Sequence, residues 1–318
     1  MSPDPCRCPH PDCGAGGCAS ACAATGILNI DKPEGYTSHD IVARVRRLTG
    51  ERRVGHAGTL DPFATGVLLV CVGQATRVSE YLMEGRKLYR ARIRFGTATD
   101  TYDLTGAPTI QNAPIPSGIA AIEAILPRFQ GHIMQTPPSY SALKIEGVPA
   151  YRRARRGEEI DQAPRPVEIY DLQVRAWDPP DLVLDIVCGK GTYIRSLAHD
   201  LGQALGSAAH LIALERRAVG AFTIEDAVPL AAFEEQAREG RWQDLLYPLD
   251  EALLMYPALI LSAEDVARLQ NGQPVAGAEI AEGALARVYG PGGELVALVQ
   301  GDHKASVWRP HKVFSICA

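Results

Sequence analysis

Gly55-His56-Ala57-Gly58-Thr59-Leu60-Asp61-Pro62-Phe63-Ala64-Thr65-Gly66 is a loop by composition, and the apolar run Val67 to Val72 that follows it has the length of a buried strand. Pro62 biases Asp61 toward extended backbone and away from helix. The loop therefore presents its carboxylate on a stiff turn. A carboxylate held this way can attack a sugar or base carbon, as the nucleophile of a retaining glycosidase does. Asp-Pro is also an ordinary turn former, and composition alone does not separate the two readings.

Working outward, Thr37-Ser38-His39-Asp40 has the form of a helix cap, and Ile41, Val42, Val45 and Leu48 then recur at helical spacing until Gly50. On the other side, Leu88 to Phe95 alternates. Tyr89, Ala91, Ile93 and Phe95 share one face and Arg90, Arg92 and Arg94 the other, which predicts a half-buried antiparallel strand carrying a basic ridge. A short helix is expected over Ser117 to Leu126, ended by Pro127. Gln135 to Pro149 has little periodicity, and the basic turn Tyr151-Arg152-Arg153-Ala154-Arg155-Arg156-Gly157 follows it. Together they read as a projecting arm. Leu182, Leu184, Ile186 and Cys188 alternate as a strand, Gly189-Lys190-Gly191 turns the chain, and Ile194, Leu197, Leu201 and Leu205 form a helical stripe. Arg195 falls in the first turn of that helix. From Leu259 a new unit begins, with Ser262 capping a short helix to Asn271-Gly272 and strands following around Pro291-Gly292-Gly293.

The chain has 318 residues, 46% hydrophobic and 22% charged, which fits two globular domains and a tail and excludes wholesale disorder. No apolar run reaches the roughly 18 residues of a membrane helix, and the N-terminus lacks the pattern of a secretory signal, so a cytoplasmic location is expected. The net charge of −5 hides an asymmetry. Thr25 to Ala98 holds twelve Lys/Arg against seven Asp/Glu, whereas Phe222 to Pro257 holds two against eight. A basic front suits a polyanionic ligand held on one face. Cys6, Cys8, Cys13, Cys18 and Cys22 crowd the first two dozen residues. Their spacing lacks the paired C-x2-C turns of a zinc site, so residues 1–24 read as a flexible extension with no metal.

Common cofactor signatures are missing. Gly189-Lys190-Gly191-Thr192 resembles a phosphate loop, but Gly191 stands where a Ser or Thr must follow the lysine. H-E-x-x-H, G-x-S-x-G and a dinucleotide fingerprint do not occur. No cofactor is expected.

The loop from Gly55 to Gly66 resembles the aspartate motif of the TruB family of tRNA pseudouridine-55 synthases. Four further stretches are similar to that family's motifs in the same order: Lys32-Pro33-x-Gly35-x-Thr37-Ser38, Lys87-Leu88-Tyr89-Arg90 with Thr99-Asp100-Thr101-x-Asp103, Gln135-x-Pro137-Pro138-x-Tyr140-Ser141-Ala142-Leu143-Lys144, and Gly189-Lys190-Gly191-Thr192-Tyr193-Ile194-Arg195. The resemblance covers most of residues 27 to 220. The final sixty residues are more weakly similar to a PUA-like RNA-binding domain.

The resemblance implies an α+β pseudouridine synthase fold, with a large, mainly antiparallel sheet and a central cleft, plus a small C-terminal β-rich PUA-like domain. The expected boundaries are 1–24 for the extension, 25–257 for the catalytic domain with an RNA-binding insertion near 135–160, and 258–318 for the terminal domain. It implies that Asp61 attacks a uridine in the T-loop of tRNA, that Tyr89 stacks on the uracil and helps remove the displaced proton, and that Arg195 pairs with Asp61. The binding set so implied is His56, Tyr193, Asp103, Lys32, Lys144, Arg152 and Arg153. Within it Asp103 holds Arg195 from behind and Lys32 supports the loop. The expected partner is the T-stem and loop of tRNA, met by a monomer with neither membrane nor guide RNA. Two alternatives are a guide-dependent synthase of the dyskerin type, against which the Pro137–Gly157 insertion argues, and a non-catalytic RNA-binding or tRNA-folding module.

Overall fold

The computed structural model describes residues 24–138, 162–277 and 281–315, together with the backbone of the paired strands Lys144–Ile145 and Val148–Pro149. The cysteine-rich extension, Arg152, Arg153 and the side chain of Lys144 lie outside the described residues.

A ten-stranded sheet runs through the larger part of the chain, in the order Val228–Pro229, Gly26–Lys32, Thr65–Val72, Ala209–Val219, Lys87–Phe95, Asp181–Cys188, Arg165–Asp178 and Gly131–Gln135, with two short strands at its flanks. It is antiparallel except where Gly26–Lys32 meets Val228–Pro229 and Thr65–Val72 meets Ala209–Val219. Fold class and architecture thus match the α+β expectation. The run Val67 to Val72 is fully buried, as a central strand covered on both faces should be.

Two helices position the site. Thr37 and Asp40 form a capping box: the Thr37 hydroxyl accepts from the Asp40 N–H at 3.1 Å, and the Asp40 carboxylate accepts from the Thr37 N–H at 2.8 Å. Helix Ser38–Thr49 then buries Ile41, Val42 and Val45 and stops at Gly50 in left-handed conformation. Helix Ile194–Ala204 buries Ile194, Leu197, Ala198 and Leu201 in the same apolar cluster as Tyr89, Ala91, Ile93 and Phe95. Each of the Ile, Leu and Val side chains, fully buried, contributes about 1.5–3 kcal/mol.

The opposite face of Lys87–Phe95 corrects one expectation. Arg90, Arg92 and Arg94 do not form a bare ridge but are ion-paired along it. Arg90 Nε donates to Asp185 at 2.7 Å, while Arg92 and Arg94 share Asp181 at 2.8 and 2.7 Å. Arg175 adds a second clamp on Asp185 at 2.6 Å. The two carboxylates come from the neighbouring strand Asp181–Cys188, whose register sets Asp185 opposite Arg90 and Asp181 opposite Arg94. Arg44, on helix Ser38–Thr49, pairs with Glu234 at 2.8 Å.

The terminal part forms a separate five-stranded sheet, Ala258–Ile260, Leu285–Tyr289, Leu295–Asp302, Val307–Val313 and Val275–Ala276, with helix Ala263–Gln270 capped by Ser262. Its Leu298 and Phe314 pack in one cluster with Leu69, Tyr81 and Leu253. Gln74 and Ser315 exchange two hydrogen bonds, at 2.9 and 2.8 Å, across the junction.

Gly66, at the end of the aspartate loop, lies where the chain passes against Arg216. Its φ is +97°, and a Cβ there would stand 2.3 Å from the Arg216 carbonyl oxygen. Gly35 has a similar φ of +86° with open space around it. Gly66→Ala should lower the unfolding free energy by about 2–4 kcal/mol, left-handed strain and overpacking together, and Gly35→Ala by only about 1 kcal/mol. Urea unfolding of both variants checks this, and equal losses would remove the Arg216 contact as the cause.

Candidate active site

The loop that carries Asp61 is fixed from both sides by side chains that the chain brings from elsewhere. On the near side the Ser38 hydroxyl accepts from the Leu60 N–H at 2.9 Å and donates back to the Leu60 carbonyl at 3.2 Å. Beyond it the Gly35 N–H donates to the Pro62 carbonyl at 2.8 Å. Lys32 is wholly buried. Its ammonium donates to the carbonyls of Pro33, Tyr36 and Pro62 at 2.9, 2.8 and 3.3 Å. Burial lowers its proton affinity, to about 8, against an opposing pull from Asp61. Lys32 therefore supports the loop, and with no exposed surface it cannot touch a ligand.

Arg216 is the second buried cation. At 1% exposure it donates through Nε to the Val67 carbonyl at 2.7 Å, and through its terminal nitrogens to those of Thr59 and Gly58 at 3.4 and 3.2 Å. It stands directly across from Tyr89 on the adjacent strand. Sequence reading missed Arg216, because in Glu215-Arg216-Arg217 it looks like part of a solvated charge run.

Asp61 meets Arg195 in a two-point contact. Arg195 Nε lies 2.9 Å from one carboxylate oxygen, and Nη2 donates to the other at 3.2 Å. Nη1 donates to Asp103 and to the Thr101 carbonyl, both at 3.4 Å. Asp103 is buried and is itself held by the Thr101 hydroxyl at 2.8 Å and by the Thr105 N–H at 2.9 Å. Asp103 thus holds the guanidinium from behind and makes no surface for substrate. Burial pushes the Asp61 carboxyl up from its ordinary value. The Arg195 charge is the largest opposing pull, Asp103 raises it further, and Lys32 lowers it. The guanidinium therefore favours the charged form that a nucleophile needs.

Arg195 is aimed by its helix. Tyr193 precedes that helix, and its backbone is gripped by Gln135: Nε2 donates to the Tyr193 carbonyl at 3.0 Å and Oε1 accepts from its N–H at 2.8 Å. The Ser196 hydroxyl donates to the Thr136 carbonyl at 2.7 Å. These bonds tie the helix start to strand Gly131–Gln135, far away in sequence.

Asp61, Tyr89, Tyr193 and Arg195 line one cleft of about 400 Å³, within the size range of small-ligand sites. Tyr89 is 9% exposed, and burial pushes its phenol up while Arg216 pulls it down. His56 is half-buried on strand Val54–His56 and does not contribute to the lining; burial, then Arg216 and His39, lower its proton affinity. At the cleft mouth Lys190 pairs with Glu84 at 2.6 Å. Among the described residues no cluster of His, Cys, Asp and Glu could hold a metal ion, and no helix is long and apolar enough to cross a membrane.

Comparison with known proteins places this geometry. Residues 46–194 match the profile of the TruB family pseudouridylate synthase N-terminal domain, and residues 195–254 that of the tRNA pseudouridylate synthase B C-terminal domain. tRNA pseudouridine synthase B of Syntrophotalea carbinolica is 45% identical over 276 residues, covering 85% of this chain and 90% of the relative. The protein of the same name from Gloeobacter violaceus is 47% identical over 268 residues, covering 83% and 90%. Among solved structures, a chain of a Cbf5-Nop10-Gar1 complex matches with TM-score 0.71 at 27% identity, over 92% of this chain and 85% of that one. A chain of an H/ACA RNP bound to a substrate RNA containing 2′-deoxyuridine gives 0.70 at 25% identity, over 92% and 85%. With an aspartate and an arginine paired in the cleft and relatives of this similarity along most of its length, the chain belongs to the TruB family of pseudouridylate synthases.

Proposed function

We propose that this enzyme converts one uridine in the T-loop of tRNA, position 55, to pseudouridine, with Asp61 as the nucleophile. The observation that carries the reading is the two-point Asp61–Arg195 contact at the wall of a cleft sized for a nucleoside. The relatives named tRNA pseudouridine synthase B support tRNA as the substrate.

Isomerisation breaks the N1–C1′ bond, turns the base and closes a C5–C1′ bond, after which the C5 proton leaves and N1 regains one. The Asp61 carboxylate adds to C6 of the base or to C1′ of the ribose; both routes need it ionised. Tyr89, on the cleft floor, stacks on the uracil and helps remove the proton from C5. Tyr193 meets the uracil edge. Arg195 orients Asp61, and Asp103 and Lys32 act through Arg195 and the loop. Since a base within a folded RNA must leave its stack at a cost of a few kcal/mol, contacts along the RNA offset that cost. His56, beside the cleft, braces the RNA near the extruded nucleotide. Lys144, Arg152 and Arg153 of the insertion serve as RNA contacts, and the terminal unit from residue 258 serves as a PUA-like RNA-binding domain. Leu259 to Ala318 holds five basic and six acidic residues, so its contact depends on shape more than on charge. The enzyme acts as a monomer on bare tRNA. The identity to the proteins named tRNA pseudouridine synthase B, 45–47%, exceeds the 25–27% to the Cbf5 and H/ACA RNP chains and favours that reading over guide-dependent action.

Asp61→Asn should bind tRNA within about threefold of wild type, because it keeps the shape and removes only the charge. It should release no tritium from C5-labelled substrate; full turnover would refute the nucleophile. Arg195→Met removes the pull that opposes burial, so protonation of Asp61 moves to higher pH. Since the ionised form is active, the acid limb of the rate profile should shift upward, with a rate at pH 7 lower by about 100-fold from lost orientation. An unmoved limb would separate Arg195 from the charge state of Asp61. Because Arg92 and Arg94 already share an ion pair with Asp181, replacing both with Gln should weaken tRNA binding less than replacing the exposed Arg52 and Arg53, each worth about one unit of the salt slope if it meets a phosphate. Binding measured across a salt series decides between them.

A further inference from the structure

Lys87 opens the strand that carries Tyr89 and lies two residues before it, so both side chains share the sheet face that floors the cleft. It is 7% exposed. Its ammonium donates to the Met83 carbonyl, at the end of helix Ser79–Glu84. No carboxylate among the described residues forms an ion pair with it. An ammonium has three N–H donors, and a buried cation without a counter-charge is costly. The helix-end carbonyl compensates only part of that.

The other cations of the cleft are engaged. Arg195 holds Asp61 and Asp103, Arg216 spends its donors on the carbonyls of Val67, Thr59 and Gly58, and Lys190 pairs with Glu84. Lys87 faces Cys188 directly across the adjacent strand, and Glu84, Lys190 and Arg216 surround it. Burial lowers its proton affinity, to about 8, while burial holds the Cys188 thiol up at about 11 and therefore neutral.

The isomerisation supplies the missing partner. Whichever carbon Asp61 attacks, the N1–C1′ bond breaks with its electron pair going to the base. The detached uracil carries that negative charge over N1, O2 and O4 until C5 closes on C1′, the C5 proton leaves and N1 is protonated. We propose that Lys87 donates a hydrogen bond to a carbonyl oxygen of the detached uracil and carries the counter-charge to it. The proposal rests on the cleft of Asp61 being the site of reaction, and it makes Lys87 a catalytic residue of the oxyanion-stabilising kind.

The test uses full-length enzyme, a tRNA transcript and single-turnover measurement. Lys87→Met, which keeps the stem and removes the charge, should slow isomerisation about 100-fold with tRNA affinity within about threefold. A rate within about threefold of wild type would overturn the proposal. In wild type the protonated lysine is the active form, so kcat/KM should fall as pH rises through about 8. Lys87→Arg, which stays charged, should lose that limb. Burial also lowers Lys32 to about 8, so the two profiles are compared: an alkaline limb identical in wild type and Lys87→Arg belongs to another group and overturns the proposal. The pH profile also decides the matter should Lys87→Met fail to fold. Asp61→Asn run in parallel keeps the two ideas apart: full turnover there sinks the nucleophile while the Lys87 profile still reads out.

Discussion

The contact between Asp61 and Arg195 is what the rest of the molecule is arranged around. Burial opposes charge on the carboxylate, and the positive charge of the guanidinium opposes burial. The two groups come from positions 134 residues apart. Neither can be placed by local structure alone. A wide antiparallel sheet solves this by setting Thr65–Val72, Ala209–Val219, Lys87–Phe95 and Asp181–Cys188 side by side, so that the loop before one strand and the helix after another open onto the same floor.

Placing the pair requires a loop that does not move, and the molecule achieves this with cations where an apolar core would be cheaper. Lys32 and Arg216 are both buried, and each spends its donors on backbone carbonyls of the aspartate loop or its neighbours. Buried charge is a poor source of stability. Its use here is geometric: three or more donors from one side chain fix several peptide groups at once, which apolar contact cannot do. Arg216 also lines the cleft with Lys87, Lys190 and Arg195, against Asp61, and this positive balance suits both the phosphates of an RNA and a base that leaves with a pair of electrons.

Much of this was legible in the sequence, for local reasons. The Thr37–Asp40 cap, the helical stripe after it, the alternation around Tyr89 and the strand-turn-helix leading to Arg195 are each written within a dozen residues, and the structure has them where the spacing sets them. What escaped depends on partners far along the chain. The arginine ridge reads as a free basic surface until Asp181 and Asp185 arrive from the neighbouring strand. Strand Arg165–Asp178 went unread because register shifts near Tyr170 and Arg175 break its alternation. Arg216 carried no local signal, and Gln135, quoted only as part of a motif, gains its role from Tyr193, 58 residues away. Residue type located the chemistry; pairing across the sheet decided which charges are spent on structure and which remain for substrate.

The central claim is that Asp61, half-buried and with its carboxyl pushed up, is an ionised carboxylate at neutral pH in the free enzyme. Difference infrared spectra between wild type and Asp61→Asn at pH 7 measure this directly. The lost band should be the antisymmetric stretch of a carboxylate. Loss of the carbonyl band of a protonated acid at that pH would contradict it.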